Sequence, residues 1–264
     1  ERDKKTLHIE DKFTINELGV KIIAEIGSNW EGDVELAKLH IKEAKESGAD
    51  YVKFQMWRAE DLYNLDHPEW EMIKKSELTE NIALELKKYA DELDIGWFCS
   101  AFNPKAVEFL EKIGVPLHKI ASRTSTLKDK LSLETIQKIA ETKKNTFISM
   151  GEGGDKGKIL ELFEEKSLKF TYCIAKYPTE DTEINLNEII NYDFFSDHTK
   201  GITISIMYAI MRSKITKNEI FIEKHTQFEN SKGPDSTWGA ITYKELKELS
   251  MHVKRIEKLH DFIK

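Results

Sequence analysis

Two histidines stand where short apolar runs turn polar. Tyr192 to Ser196 leads into Asp197, His198 and Thr199, and Glu219 to Ile222 leads into Glu223, Lys224 and His225. A β-rich run that stops at acids and imidazoles has the pattern expected at the carboxyl end of a parallel barrel strand. Two such imidazoles on successive strands can hold one divalent metal. Either histidine alone fits the ordinary end of a strand equally well, with its ring bonded to a carbonyl. It is the pair, each beside an acid, that points to a site.

Other chemically capable residues fall at comparable places. Glu25 lies inside Lys21 to Gly27, a run apolar enough to be buried on both faces. A carboxylate there needs a salt bridge or a site. Lys53 and Gln55 share one face of Tyr51 to Gln55 by the period-two rule, which suits an anion or sugar pocket. Ser100 ends Gly96 to Ser100, Lys119 and Ser122 belong to Leu117 to Ser122, and Ser149 belongs to Thr146 to Gly151. Tyr177 follows Lys169 to Cys173, Ser196 ends the first opening run, and Asp235 sits in the last loop after Gly233 and Pro234. Two lysines and four serine hydroxyls suit a phosphate and a carboxylate held together. Two histidines suit Mn²⁺ or Zn²⁺, and acids with an amide suit a polyhydroxylated partner. The substrate class that follows is a small phosphorylated carboxylic acid plus a sugar. Serines alone also fit strand ends that meet water. Glu25, Lys53, Lys119, His198 and His225 together fit that reading poorly.

The elements that position these residues alternate. Helical spacing covers Val34 to Glu46, Asn81 to Asp94, Leu131 to Lys143, Lys158 to Lys166, Leu186 to Ile190, Ile202 to Arg212 and Tyr243 to Lys264. Another helix starts at Asn103 and Pro104, in the N-cap and first-turn pattern. Eight strand–helix alternations predict a parallel sheet closed as a (β/α)8 TIM barrel. Thr6 to Ile9 and Lys12 to Ile15 read as a short N-terminal β-hairpin on the barrel floor. The expectation is one barrel domain over residues 1–264, with the hairpin in 1–16. Met56 to Thr79, with Trp57, Tyr63, His67 and Trp70, is long for a connection. It is either an active-site loop or a satellite core.

The 264 residues are enough for such a barrel, which uses about 250. A net charge of −7 weighs against nucleic acid. No apolar run approaches the ~20 residues of a membrane helix, and Glu1 to Lys5 carries no signal pattern. Two cysteines, Cys99 and Cys173, make no disulfide framework, so a cytoplasmic setting is expected. The absence of an initiator Met suggests a trimmed chain or a segment of a longer one.

These residues also resemble a known family, the sialic acid (N-acetylneuraminate) synthases and their nonulosonate-forming relatives. The matching stretches are Ile22 to Asn29, Gly48 to Gln55, Lys119 to Ser122, Tyr177 to Thr179, Ser196 to Gly201, Ile222 to His225 and Gly233 to Asp235, in the family's order. The resemblance implies condensation of phosphoenolpyruvate, through its methylene carbon, with the aldehyde of an N-acetylmannosamine-like sugar. The products would be a 3-deoxy-2-keto sugar acid of carbohydrate or polysaccharide biosynthesis and phosphate. It implies Mn²⁺ on His198 and His225. It assigns Lys53, Ser100, Lys119, Ser122, Ser149 and Ser196 to phosphoenolpyruvate, and Glu25, Gln55, Tyr177 and Asp235 to the amino-sugar acceptor. Glu223 becomes an acid next to the metal.

There are departures. Arg123-Thr124-Ser125 replaces a glycine and an acid, Ile174-Ala175-Lys176 replaces a polar pair with an asparagine, and the turn Gly151-Glu152-Gly153-Gly154 is unusual. Most family members carry a carboxyl-terminal antifreeze-like domain that caps the partner's barrel in a homodimer, and this chain ends at Lys264 without one. Arg123 and Lys176 add positive charge, which favours a more anionic acceptor. Two other readings remain: an impaired sugar- or phosphate-binding barrel within a polysaccharide-synthesis protein, and another metal-dependent sugar aldolase or isomerase.

Overall fold

The computed structural model describes residues 19–163, 167–237 and 239–260. The hairpin expected within residues 1–16 lies outside the described residues. The barrel strands are β1 (Val20–Glu25), β2 (Tyr51–Met56), β3 (Gly96–Ala101), β4 (His118–Ile120), β5 (Thr146–Ser149), β6 (Leu168–Cys173), β7 (Phe194–Asp197) and β8 (Ile220–Gln227). Each pairs in parallel with the next, and β1 closes on β8 with Glu25 opposite His225. This is a (β/α)8 TIM barrel. A short β9 (Ile241–Thr242) adds to β8 through Thr226 and Gln227.

The helices are α1 (Val34–Glu46), α2 (Ala59–Leu62), α3 (Trp70–Lys75), α4 (Glu80–Glu92), α5 (Pro104–Lys112), α6 (Ser122–Ser125), α7 (Lys130–Glu141), α8 (Lys156–Leu162), α9 (Leu186–Ile189), α10 (Thr203–Ser213) and α11 (Tyr243–His260). Several begin at side-chain caps. Asp33 accepts from Glu35 N and Leu36 N, Asn103 from Ala106 N, and Asp129 from Ser132 N. Each satisfies amides that a helix start leaves open.

The strand interior is layered. Phe147, Phe194 and Phe221 meet inside the barrel with ring centroids 4.7, 4.9 and 5.7 Å apart. Each buried ring contributes about 2 kcal/mol, and the edge-on and stacked contacts add to it. Lys119 Nζ lies 5.5 Å above the Phe194 ring, so the charged layer starts directly on this aromatic floor.

Several boundaries differ from expectation. β8 runs through Glu223 and His225 instead of stopping before them, because β1 pairs its backbone up to Glu25. The β4 strand is short, and Ser122 opens the one-turn α6 instead of ending a strand. There the Ser125 hydroxyl donates back to Ser122 O at 2.8 Å, and that of Thr126 to Arg123 O at 2.7 Å. The Asp155 cap starts α8 at Lys156, ahead of the expected Lys158. The Met56 to Thr79 segment folds as α2 and α3 over a satellite core of Trp57, Ala59, Ile73 and Phe102. No described helix is long and apolar enough to cross a membrane.

Candidate active site

Parallel pairing brings alternate side chains of all eight barrel strands to one end of the barrel. Glu25 Oε2 lies 2.6 Å from Lys53 Nζ, and Lys53 Nζ lies 3.6 Å from Glu223 Oε2. Lys119 Nζ lies 3.7 Å from Glu223 Oε1. Acid and ammonium thus alternate through four buried side chains. Neutral hydrogen-bonding groups complete the set. Lys53 donates to Ser100 Oγ at 3.2 Å, Lys119 to Ser149 Oγ at 2.7 Å, Gln55 to Glu25 Oε1 at 2.8 Å and Ser196 to Glu223 Oε1 at 2.7 Å. Thr171, which the sequence reading passed over, meets Ser149 Oγ at 2.8 Å. It sits one alternation before Cys173 on β6, and the period-two rule could have found it.

The four charges are tuned apart. Burial works against ionisation of Glu223, but Lys119, Lys53 and the Ser196 hydroxyl outweigh it and hold its carboxyl at about 2. Burial raises Glu25 above the usual carboxylate range despite Lys53 beside it. Burial also lowers Lys119, with Glu223 only partly opposing it. Lys53 is buried too, yet Glu223 and Glu25 together keep it above an ordinary lysine. Carboxyls pushed in opposite directions in one cleft are the usual mark of divided acid–base roles.

The histidines stand beside this layer. Their ring centroids are 5.6 Å apart. Two imidazoles sharing one ion at nitrogen distances of about 2 Å would span about 6 Å. His198 Nδ1 lies 2.7 Å from Ile174 O, so Nδ1 donates and Nε2 is the nitrogen left for a ligand. Burial, His198 and Lys53 push His225 well below its ordinary value, leaving a neutral imidazole. Its Nδ1 lies 3.7 Å from Asp235 Oδ2, and one ligand atom each from Glu25, His225 and Asp235 falls within 4.8 Å of the others. Burial, with Glu25 nearby, raises Asp235 to about 7 even though it accepts from Ser28 N at 2.8 Å. Burial works against a charged His198, but Cys173, Ile174 O and Glu223 outweigh it and raise that imidazole above its ordinary value. A neutral His225 with carboxyl groups close by, and His198 across from it, fit a divalent cation of the Mn²⁺ or Zn²⁺ kind, which would displace any proton on His198. Glu25 and Asp235, the residues expected at the sugar, both stand next to His225.

Tyr177 covers this corner, its ring 4.2 Å from that of His198 and 6.1 Å from that of His225. Ser122 accepts from Gly151 N at 3.0 Å and lies 3.6 Å from Cys173 Sγ, at the border of the layer. Cys173 was assigned no role, yet its Sγ lies 4.0 Å from His198 Nδ1. Burial raises that thiol, but His198 and Lys119 outweigh it and bring it below the ordinary value. A small cleft lined by Gln55, Trp57, Tyr63 and Asp235 opens toward the satellite core. Of the two added cations, Lys176 is engaged by Glu183 at 2.6 Å. Arg123 reaches Leu62 O at 3.1 Å, beside Tyr63.

Similar proteins share this architecture. The sequence is 34% identical over 251 residues to an uncharacterized protein of Methanocaldococcus jannaschii, covering 90% of this chain and 71% of that one. It is 30% identical over 267 residues to the N,N'-diacetyllegionaminic acid synthase of Campylobacter jejuni, covering 90% and 76%. The fold is similar to the crystal structure of N-acetylneuraminic acid synthetase from Leptospira borgpetersenii. That match has a TM-score of 0.79 and 26% identity, and covers 92% of this chain and 85% of the other. Residues 40–263 match the NeuB family, and with these likenesses the chain belongs to that family.

Proposed function

We propose that the chain is a sugar-acid synthase that joins phosphoenolpyruvate to the aldehyde of an N-acetylmannosamine-like sugar, with Mn²⁺ as cofactor. The observation that carries the reading is two buried lysines sharing one carboxylate, with serine hydroxyls around them and two imidazoles alongside. The names of related synthases of legionaminic and N-acetylneuraminic acid support the product class.

The residues divide the work. Lys53 and Lys119, with Ser100, Ser149 and Ser196, bind the phosphate and carboxylate by charge-assisted hydrogen bonds, each contributing about 1.5–3 kcal/mol. Glu25, Gln55, Tyr177 and Asp235 orient the sugar. His198 and His225 hold the metal, which when bound polarises the aldehyde oxygen. The methylene carbon forms the new C–C bond, water adds to the enol-derived carbon, and phosphate departs with its bridging oxygen. Glu223 starts as a poor base because both lysines face it. An anion that draws Lys53 and Lys119 away raises its basicity, so it can take the proton of the attacking water at Oε1 or Oε2. Glu25, already disposed to hold a proton, can supply one to the new alkoxide.

Arg123 is the added cation left to recognise an anionic group on the acceptor. Phosphate release from phosphoenolpyruvate, measured with Mn²⁺ across N-acylated hexosamines and their anionic derivatives, tests both points. Sugar-dependent release that disappears in His225→Ala supports the synthase. No release with any acceptor sinks it and favours a binding barrel. Plain N-acetylmannosamine as the best acceptor removes the role given to Arg123.

A further inference from the structure

The two histidine-bearing strands are joined by a buried clasp that faces away from the reacting groups. Register pairs Ser196 with Glu223 and Asp197 with Lys224, and these are the last paired positions of β7 and β8. His198 follows the end of β7 and His225 lies within β8, so the ladder between these two strands does not itself fix the spacing of their rings. Thr179 N donates to His198 O at 2.9 Å and β1 pairs with His225, and side chains then tie the two residues to each other. Lys224 Nζ lies 3.3 Å from Asp197 Oδ2 and also donates to Thr199 O. One ammonium therefore holds the residue on either side of His198, and it is carried by the residue preceding His225. Asp197 Oδ1 accepts from both the amide and the hydroxyl of Thr199, at 2.8 Å each, which closes a turn around His198. Asp197 Oδ2 accepts from Ser205 on α10 at 2.5 Å, tying the clasp to a helix. Gly239 packs so near that a Cβ on it would stand 2.7 Å from His198 O.

A buried ion pair contributes little net stability, because desolvation of both charges roughly cancels their attraction. Here the pair grips both neighbours of one imidazole and adjoins the other, which is what a geometric role requires. We propose that Asp197 and Lys224 are positioning residues that hold His198 and His225 at the separation one divalent ion needs. The inference rests on the metal reading of those histidines.

The double variant Asp197→Asn/Lys224→Met removes both charges and strands neither. Mn²⁺ affinity is read by titration calorimetry, the site by electron paramagnetic resonance of the bound ion, folding by thermal melting, and the anion half of the site by phosphoenolpyruvate binding. Mn²⁺ binding about tenfold weaker or more is expected, as for other groups that orient metal ligands. The resonance spectrum should change while melting and phosphoenolpyruvate binding stay near wild type. Unchanged Mn²⁺ affinity overturns the proposal, and so does parallel loss of metal and phosphoenolpyruvate binding, which marks a merely structural pair. If the double variant does not fold, Ser205→Ala removes one bond to Asp197 and keeps both charges. Weaker Mn²⁺ binding in Ser205→Ala supports the clasp, and wild-type binding overturns it. The metal reading fails separately, if wild type binds no Mn²⁺ or if His198→Ala/His225→Ala binds it as well as wild type.

Discussion

Glu223 sits between two ammonium groups, and its role depends on where they go. Glu223→Gln keeps the Ser196 contact and the side chain's size but removes the base. The expected result is kcat lower by about 10²–10⁴, with the KM for phosphoenolpyruvate changed far less. Steady-state phosphate release measures both constants, and a change confined to KM would reduce Glu223 to a binding group. Gly27 is a second residue-scale dependency. Its φ of +52° is left-handed, and a Cβ there would stand 1.6 Å from Asp235 Oδ2. Gly27→Ala must therefore displace Asp235 from its place beside His225. Destabilisation of about 1–3 kcal/mol is expected, with weakened Mn²⁺ binding. Denaturant titration and calorimetry on the same variant check the two parts.

At the scale of elements, α1 is pinned to the barrel by His40. Its Nε2 lies 3.1 Å from Asn29 O, and its Nδ1 lies 2.5 Å from Tyr243 Oη at the start of α11. A carbonyl only accepts, so Nε2 carries the proton and Nδ1 accepts from the tyrosine. Burial lowers the folded-state pKa of His40 to about 4, below the ordinary 6.5 of an unfolded chain. A depressed histidine contributes stability that is fully present above the unfolded value and is lost as pH falls toward the folded one. Wild type should lose up to about 3 kcal/mol through this group between pH 6.5 and 4. His40→Gln should flatten that part of the slope, and equal slopes in urea titrations at pH 7 and 5 would refute the assignment. The strand–helix alternation made the barrel legible, because parallel strands are apolar throughout and caps such as Asn103 mark helix starts. Strand ends were less legible. β8 continues through Glu223, Lys224 and His225 because β1 satisfies its backbone, and polarity there records the site, not a strand end. β9 is two residues long and carries too little pattern to be read. The position of Asp235 beside Glu25 and His225 depends on a loop returning across the barrel mouth to Ser28, which no local pattern encodes.

For the whole molecule, the charged layer couples the substrate to barrel closure. Glu25, Lys53, Ser100, Lys119, Ser149, Ser196 and Glu223 come from β1, β2, β3, β4, β5, β7 and β8, so a ligand that bridges them ties most of the barrel together. In the free protein the two lysines are occupied by Glu25 and Glu223, and burial disfavours keeping the whole set charged. A bound anion that takes over the lysines binds the folded chain and not the unfolded one. At a hundred times its Kd it should add about 2.7 kcal/mol of stability. For a chain of this size that is a rise in Tm of about 5–10 °C. Phosphoenolpyruvate should produce this shift, inorganic phosphate a smaller one, and a neutral sugar alone much less. Lys53→Met and Lys119→Met should each abolish most of the phosphoenolpyruvate shift while the variants remain folded, because each leaves the other lysine to pair with Glu223, and Glu25, which burial already disposes to hold a proton, keeps its bond from Gln55. Differential scanning fluorimetry across ligand concentrations reads the effect directly. An equal shift in wild type and both lysine variants would place the anion elsewhere on the molecule and separate the charged layer from substrate binding.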